Sequence, residues 1–287
     1  MDIRKDKLRM VNIFILIPLI IWTIFLVLIP QLSIIESSFH SYIHPEKGYT
    51  LENYSYITSS PGVFRVFIRT IVAALITTVI TIIICYPIAY YIAKKTKRRM
   101  QVTFLIMLMI PFYVSELMRV YAWGVILGDY GVINYFLIKL HIIKEPITLL
   151  YTPFSVYLGL IYVYILYMVF PLYSVLTELD DSLLEAASDL GAGKIYTFFR
   201  IILPFSAPGI TSGSIMVFML SVGTLSVPSI LGGANVLWFI ELIYSNFFWE
   251  KNWNLGAANA LLLVIASMII VYTLLRLFRQ KIGEVIE

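Results

Sequence analysis

The sequence predicts an all-α integral membrane protein with six transmembrane helices and both termini in the cytoplasm. Two features of the composition predict this class, since 60% of the 287 residues are hydrophobic and only 13% are charged. A water-soluble domain usually has about twice that share of charged residues. In addition, several apolar runs approach the ~20 residues that a helix needs to cross the hydrocarbon core.

Six apolar segments account for the predicted helices. The first follows the basic stretch RKDKLR, but its apolar run is too long for a cleaved signal, so we interpret it as a retained signal-anchor helix. The predicted spans of this single domain (1–287) cover residues 10–35, 67–93, 101–117, 154–176, 207–231 and 259–278. Kinks are predicted at four prolines, Pro87, Pro111, Pro171 and Pro228.

Lysine and arginine predict the orientation, because short cytoplasmic loops carry an excess of these residues. With the amino terminus inside, fourteen of them fall on the cytoplasmic side and seven outside. Segment 177–206 is then cytoplasmic. The basic turn KKTKRR at 94–99 resembles a nucleic-acid or headgroup patch, but topology alone explains it in a tight inner turn. We expect membrane lipid, and no nucleic acid, as a partner.

The stretch EAASDLGAGKIYTFFRIILP at 185–204 differs from the oily segments around it. The spacing Ser182-x-x-Glu185 fits a capping box, which predicts that a short helix begins at Ser182. Gly191 is placed to end that helix in a left-handed conformation. A helix, a glycine turn and a second helix outside the bilayer are therefore predicted.

The second helix is predicted to be amphipathic and to end at Pro204. Its apolar side is predicted to contain Ile195, Phe198, Phe199 and Ile202. We interpret the whole element as a docking site for another protein. The alternative is an amphipathic loop that lies on the lipid surface.

This stretch resembles the EAA loop of the membrane subunits of bacterial ATP-binding-cassette (ABC) importers, and residues 177–206 are called the EAA loop below. The resemblance implies a type I ABC importer permease fold, in which the first short helix enters a cleft on a separate ATPase subunit. The positions that match the motif are Glu185, Ala186, Ala187, Gly191, Ile201, Leu203 and Pro204.

Two further stretches, at 111–134 and 231–260, resemble the spermidine/putrescine permeases. This resemblance implies a multi-pass subunit of a bacterial inner membrane, with three kinds of partner: a cytoplasmic ABC ATPase dimer, a second homologous permease and an extracytoplasmic solute-binding protein. The sequence has no G-x-x-x-x-G-K-[ST] loop, so ATP and magnesium are expected on the ATPase and no cofactor on this chain. We expect a transport subunit, not an enzyme.

A polyamine is a flexible polycation, so its path is expected to offer carboxylates and aromatic faces. The candidate residues for this path are Glu116, Tyr121, Trp123, Asp129, Tyr162, Tyr167 and Glu241. Arg119 would repel a cation, and we expect it to pair with Glu116 or to contact a headgroup. Small and hydroxylated residues at 211–226 indicate close helix packing or, alternatively, a polar passage.

Other functions stay open at this point. The same kind of permease transports other solutes, among them thiamine, iron, sulfate and phosphonates. An ATPase-independent carrier, a membrane enzyme and a scaffold are less favoured, because no convergent catalytic side chains appear in the spans. With one cysteine, Cys85, and no Cys/His cluster, no metal site is predicted.

Overall fold

The structure is a computed structural model that describes residues 17–41 and 48–278. Within these residues 82% are helical and no strand occurs, which confirms the predicted class. The helices are α1 (Ile17–Ser38), α2 (Glu52–Ser59), α3 (Pro61–Lys95), α4 (Arg98–Met109), α5 (Glu116–Leu127), α6 (Val132–Lys139), α7 (Pro153–Glu178), α8 (Asp181–Asp189), α9 (Lys194–Phe205), α10 (Ala207–Gly223), α11 (Phe239–Phe248) and α12 (Trp253–Leu277).

Four of these helices, α1, α3, α7 and α12, are long and apolar enough to cross a membrane. Three further pairs of helical segments reach that length only together, and each pair is bent by more than 40°. Length and composition therefore allow between four and seven spans, and the count of six stays a prediction. Residues 10–16 of the first predicted span, and both termini, lie outside the described residues.

The third predicted span, 101–117, is not one straight helix. After α4 the chain forms a 3₁₀ turn (Ile110–Tyr113), passes through extended Val114, and starts α5 at Glu116 with a bend of 86°. Pro111 lies in this turn, where it cannot donate a helical hydrogen bond. The end of this predicted span therefore belongs to the next helix.

The fifth predicted span, 207–231, is likewise interrupted. Helix α10 ends at Gly223, Thr224 is extended, and an irregular helical segment, Pro228–Asn235, follows. By contrast, Pro87 and Pro171 lie inside the uninterrupted helices α3 and α7. Of the four prolines at which kinks are predicted, Pro111 and Pro228 lie where the helices are interrupted.

Contacts divide the chain into two compact units. One contains the described parts of 1–64 and 242–265, and the other contains 65–241 and the described part of 266–287. In the first unit, the amide of Asn53 donates to Ser38 and His40 carbonyl oxygens at 2.9 Å, and Asn259 donates to Asn246 at 2.7 Å. The EAA loop and all candidate path residues lie in the second unit.

Helix α7 forms the centre of the second unit. It is apolar on all sides, which suits a helix with neighbours all around it. Fully buried side chains along its length include Leu160, Met168 and Leu172. Helix α10 packs against it, and the buried hydroxyls of Thr211 and Ser214 donate to carbonyl oxygens of their own preceding turn. These two hydroxyls are therefore satisfied within α10, whereas the buried Ser221 hydroxyl of the same helix has no hydrogen-bond partner among the described residues.

Candidate functional site

Helix α8 has its N-cap two residues earlier than the capping-box spacing predicts. Asp180, in extended conformation, is the N-cap, and its carboxylate accepts a hydrogen bond from the Ser182 amide at 2.9 Å. The predicted capping box at Ser182 and Glu185 is wrong, because Asp180 offers an equally suitable cap two residues upstream. Glu185 is instead exposed, with no hydrogen-bond partner among the described residues.

The cap affects the ionisation of Asp180. Hydrogen bonds from Ser182, first from its amide and then from its hydroxyl, hold the pKa of the Asp180 carboxyl below its usual value. The nearby ammonium group of Lys94 acts in the same direction. Asp180 is therefore ionised at neutral pH, as a cap at the positive end of a helix requires.

Gly191 ends α8 as predicted. Its φ of +79° is left-handed, its amide donates to the Ser188 oxygen at 2.9 Å, and the next amide, of Ala192, donates to Ala187 at 2.9 Å. These two bonds form a Schellman motif, which satisfies carbonyl groups at the end of the helix. The prediction of a glycine turn between two short helices is confirmed by this geometry.

An apolar groove lies between the two short helices of the EAA loop. Its volume is about 670 Å³, and it is lined mainly by Leu183, Ala186, Ala187, Leu190, Tyr196 and Ile201. Leu190 is 89% exposed at the end of α8, whereas Ala187 is buried at its base. The small residues leave the surface concave, and the large exposed side chain stands at its edge. An exposed apolar surface of this kind suits either of the two predicted roles, docking of another protein or contact with the lipid surface.

The second short helix, α9, differs from its prediction in two respects. Of the four residues expected on one apolar side, Phe198 and Ile202 point inward, but Ile195 and Phe199 are exposed. A π-helical turn over Phe198–Ile202 widens the helix and changes the register that regular 3.6-residue spacing assumes. The helix also continues through Pro204 to Phe205, and the chain bends by 62° only before α10.

The other motif positions of α9 differ in exposure. Ile201 and Leu203 are half-buried and Pro204 is exposed. The motif therefore combines an outward face, at the groove, with side chains that attach the loop to the body of the second unit.

Among the path candidates, Glu116 lies at the 86° bend between α4 and α5. It lies at the start of α5, is half-buried, and accepts a hydrogen bond from the Ser226 hydroxyl. Ser226 belongs to the interruption after α10. The hydrogen bond between Glu116 and Ser226 thus connects the interruption of the third predicted span with that of the fifth, and the Glu116 carboxylate lies between them.

Arg119 does not pair with Glu116, which was one of the two contacts expected for it. It is 8% exposed, and its guanidinium lies 4.2 Å above the ring of Phe112 and 5.9 Å from that of Tyr162. Its Nε and Nη1 atoms have no acceptor among the described residues. Sequence reasoning missed Phe112, although the proline and aromatic pair at the end of α4 marked the position.

The remaining candidates are dispersed. Trp123 and Tyr162 meet edge to face with ring centroids 5.5 Å apart, and both are half-buried. Tyr167 is 43% exposed beside Tyr164, and Tyr121 is 57% exposed. Asp129 is exposed in the turn between α5 and α6. Of the seven candidates, direct contact is found only between Trp123 and Tyr162 among the described residues.

Glu241 has a structural contact in this fold. Its carboxylate accepts a hydrogen bond from the Trp238 amide at 2.5 Å, at the start of α11. The Trp238 indole in turn donates to the Ser221 oxygen at 3.0 Å. Glu241 therefore stabilises the entry into α11.

The chain combines an all-helical fold with an exposed helix–glycine–helix loop, and the comparisons identify its class as a transport permease subunit. Residues 86–284 match the profile of the binding-protein-dependent transport system inner membrane component. This chain belongs to that family of inner-membrane ABC transporter subunits.

Curated relatives match the chain over nearly its whole length. The spermidine/putrescine transport system permease protein PotB of Salmonella typhimurium (strain SL1344) is 34% identical, with 98% of this chain and 99% of that protein covered. PotB of Escherichia coli (strain K12) is 35% identical over 88% of this chain and 92% of that protein. The chain is homologous to these permease subunits.

A solved structure confirms the fold. The bacterial alginate ABC transporter, crystallised with an alginate pentasaccharide-bound periplasmic protein, matches 98% of this chain and 98% of the solved chain with a TM-score of 0.74. At 15% identity this likeness shows the fold alone.

Proposed function

We propose that this chain forms half of the membrane pathway of an ATP-driven importer for polyamines of the spermidine and putrescine class. The observation that carries the proposal is the identity of 34–35% to PotB proteins over almost the full length. A solute-binding protein delivers the cargo, and a second homologous permease completes the passage.

The EAA loop is the docking site for a cytoplasmic ABC ATPase dimer in this proposal. The groove between α8 and α9 is apolar and its edge residue Leu190 is exposed, as an interface core requires. ATP with magnesium is hydrolysed on the ATPase, and its closure moves α8. The chain itself performs no chemistry.

The bend before α5 supports a cationic cargo. Glu116 offers a half-buried carboxylate there, and Trp123 of α5 and Tyr162 of α7 supply aromatic rings. The ring face of Phe112, in contrast, is already occupied by the Arg119 guanidinium. An ammonium group of a polyamine is a positive charge on a flexible chain. Aromatic faces and one carboxylate are the groups that such a ligand needs.

The position of Arg119 favours one alternative, an anionic cargo. Arg119 is a buried positive charge with two N–H groups that lack acceptors among the described residues, which suits an anionic solute such as sulfate or a phosphonate. Thiamine and iron are further cargoes of such permeases. An ATPase-independent carrier would need none of the partners.

Reconstitution tests these alternatives directly. The chain is purified with its native ATPase, second permease and binding protein, placed in proteoliposomes, and supplied with radiolabelled spermidine, putrescine or sulfate. We expect ATP-dependent uptake of the polyamines that excess unlabelled polyamine suppresses. Preferential sulfate uptake would overturn the cargo, and uptake by the chain alone without ATP would overturn the class.

The docking surface has its own test. A cysteine introduced by Leu190→Cys is expected to react with membrane-impermeant thiol reagents only from the cytoplasmic side, and to crosslink to the ATPase. Reaction from outside only would contradict the orientation.

A further inference from the structure

Helix α3 contacts the start of the EAA loop through Lys94. The Lys94 ammonium donates to the Leu179 carbonyl oxygen and to the Asp181 carboxylate, the latter at 2.9 Å. The Lys94 side chain is 7% exposed, whereas that of Asp181 is 72% exposed. Lys94 thus reaches from the end of α3 beneath the first turn of α8.

Helix α3 also contacts the end of the EAA loop, two turns further back. The Tyr86 hydroxyl and the Ser206 hydroxyl are 2.9 Å apart, and both residues are buried. The Tyr86 ring meets the Phe198 ring edge to face at 5.5 Å. Both ends of the loop are therefore attached to one helix.

The opposite end of α3 is attached to the segment that leads into α11. The Thr70 hydroxyl oxygen accepts a hydrogen bond from the Phe239 amide at 2.9 Å, and the Phe67 and Phe239 rings are 5.1 Å apart. Arg69 donates to the Leu237 carbonyl oxygen. Thr70 and Phe239 are fully buried, so water does not compete for this contact.

Between these attachments α3 is uninterrupted. The 24 residue-to-residue steps from Thr70 to Lys94 span about 36 Å at the rise of an α-helix, which is enough to cross the hydrocarbon core. A helix resists stretching because its turns are hydrogen-bonded to one another, and in this stretch Pro87 removes only one of those bonds. A displacement of one end is therefore carried to the other.

We propose that α3 is the rigid helix that transmits movement between the EAA loop and the outer segment before α11. Lys94 and Thr70 are the positioning residues at the two contacts. This inference rests on the proposed function, since it requires an ATPase that moves the loop. It gives Lys94 a role that its neighbours in the basic turn lack: Lys97, three residues on, is exposed and makes no ion pair among the described residues.

The test compares matched variants in the reconstituted complex, and the readout is the number of cargo molecules imported per ATP hydrolysed. Lys94→Met and Lys97→Met remove the same charge from the same turn. Thr70→Val removes the acceptor for Phe239, and Thr77→Val is its control, because the buried Thr77 hydroxyl has no partner among the described residues. We expect the ratio to fall about threefold or more in Lys94→Met and Thr70→Val, and to stay at the wild-type value in both controls.

Two further variants keep the test decisive. Lys94→Arg retains the charge and the N–H donors and is expected to restore the ratio, while Lys97→Met separates the contacts of Lys94 from a loss of positive charge in the basic turn. If Lys94→Met does not assemble, Tyr86→Phe removes only the bond to Ser206 and is expected to lower the ratio instead. Equal ratios in test and control variants would overturn the role of α3. A wild-type complex that hydrolyses ATP without importing any cargo would instead overturn the proposed function.

Discussion

Gly209 of α10 lies so close to Pro171 of α7 that a β-carbon on Gly209 would be 2.7 Å from the Pro171 carbonyl oxygen. The next nearest atom, the Leu172 Cα, would be 3.1 Å away, so both obstacles are backbone atoms that cannot rotate aside. Close backbone approach through small residues is the usual way in which membrane helices associate.

We therefore expect Gly209→Ala to destabilise the fold by about 1–3 kcal/mol, the usual cost of overpacking. Gly223→Ala in the same helix is the matched control, since nothing lies within 4 Å of its β-carbon. There alanine should leave the stability near the wild-type value, since Gly223 is the last residue of α10. The midpoint of chemical unfolding in detergent checks both, and equal midpoints for the two variants would contradict the close contact.

The fold class and the loop were predictable because they follow from local patterns. The apolar runs and the position of Gly191 each depend on a few adjacent residues. The break before Glu116 and the π turn at Phe198–Ile202 were not predictable, since they depend on which neighbours the chain meets. The contact of Arg119 with Phe112 was missed for the same reason, because charge pairing in the sequence favoured Glu116 as the partner.

Gly191 permits a direct test of the turn after α8. Its φ of +79° is strained for any residue with a β-carbon, but nothing lies within 4 Å of that position. Gly191→Ala thus adds backbone strain without a clash, at a cost of about 1–2 kcal/mol. We expect several-fold weaker cargo-stimulated ATPase activity in the reconstituted complex, and a larger loss for Gly191→Val, which is β-branched.

Gly193 provides the control for that substitution. Its backbone, with φ −68° and ψ 157°, suits any residue, and its surroundings are equally open. Gly193→Ala should therefore retain wild-type stimulation. Glu185→Ala should leave α8 formed, because Asp180 and not Glu185 caps it, and should weaken only the contact with the ATPase. If Gly193→Ala were as damaging as Gly191→Ala, the positive φ would not be the cause.

Asp180 makes the start of α8 sensitive to pH. Its carboxyl pKa is lowered by the bonds from Ser182, so the cap stabilises the helix above the pKa of the unfolded chain. That stabilisation is lost as the pH falls through the lowered pKa of the folded state. We expect amide exchange protection in the first turn of α8 to decline on acidification, as measured by protection factors in nanodiscs.

Two variants separate the cap from the neighbouring ion pair. Asp180→Asn keeps an oxygen for the Ser182 amide but has no titratable group, so protection should no longer depend on pH. Asp181→Asn removes the partner of Lys94 and should leave the pH dependence in place. A pH dependence that follows Asp181 would assign the effect to the ion pair.

Glu116 offers the sharpest test of the path for the cargo. Its half-buried carboxylate lies where α4 and α5 meet at 86°, bonded to Ser226, whereas Asp129 is exposed in a turn. A charge-assisted bond to an ammonium group contributes about 1.5–3 kcal/mol, or roughly tenfold or more in rate. We expect Glu116→Gln to slow ATP-dependent spermidine uptake by about that factor, and Asp129→Asn to leave it within about twofold. Since glutamine preserves the shape and an acceptor for Ser226, the loss would report the charge itself. An unchanged spermidine rate in Glu116→Gln would exclude this carboxylate from the path, and a faster uptake of sulfate in the same variant would favour an anionic cargo held by Arg119.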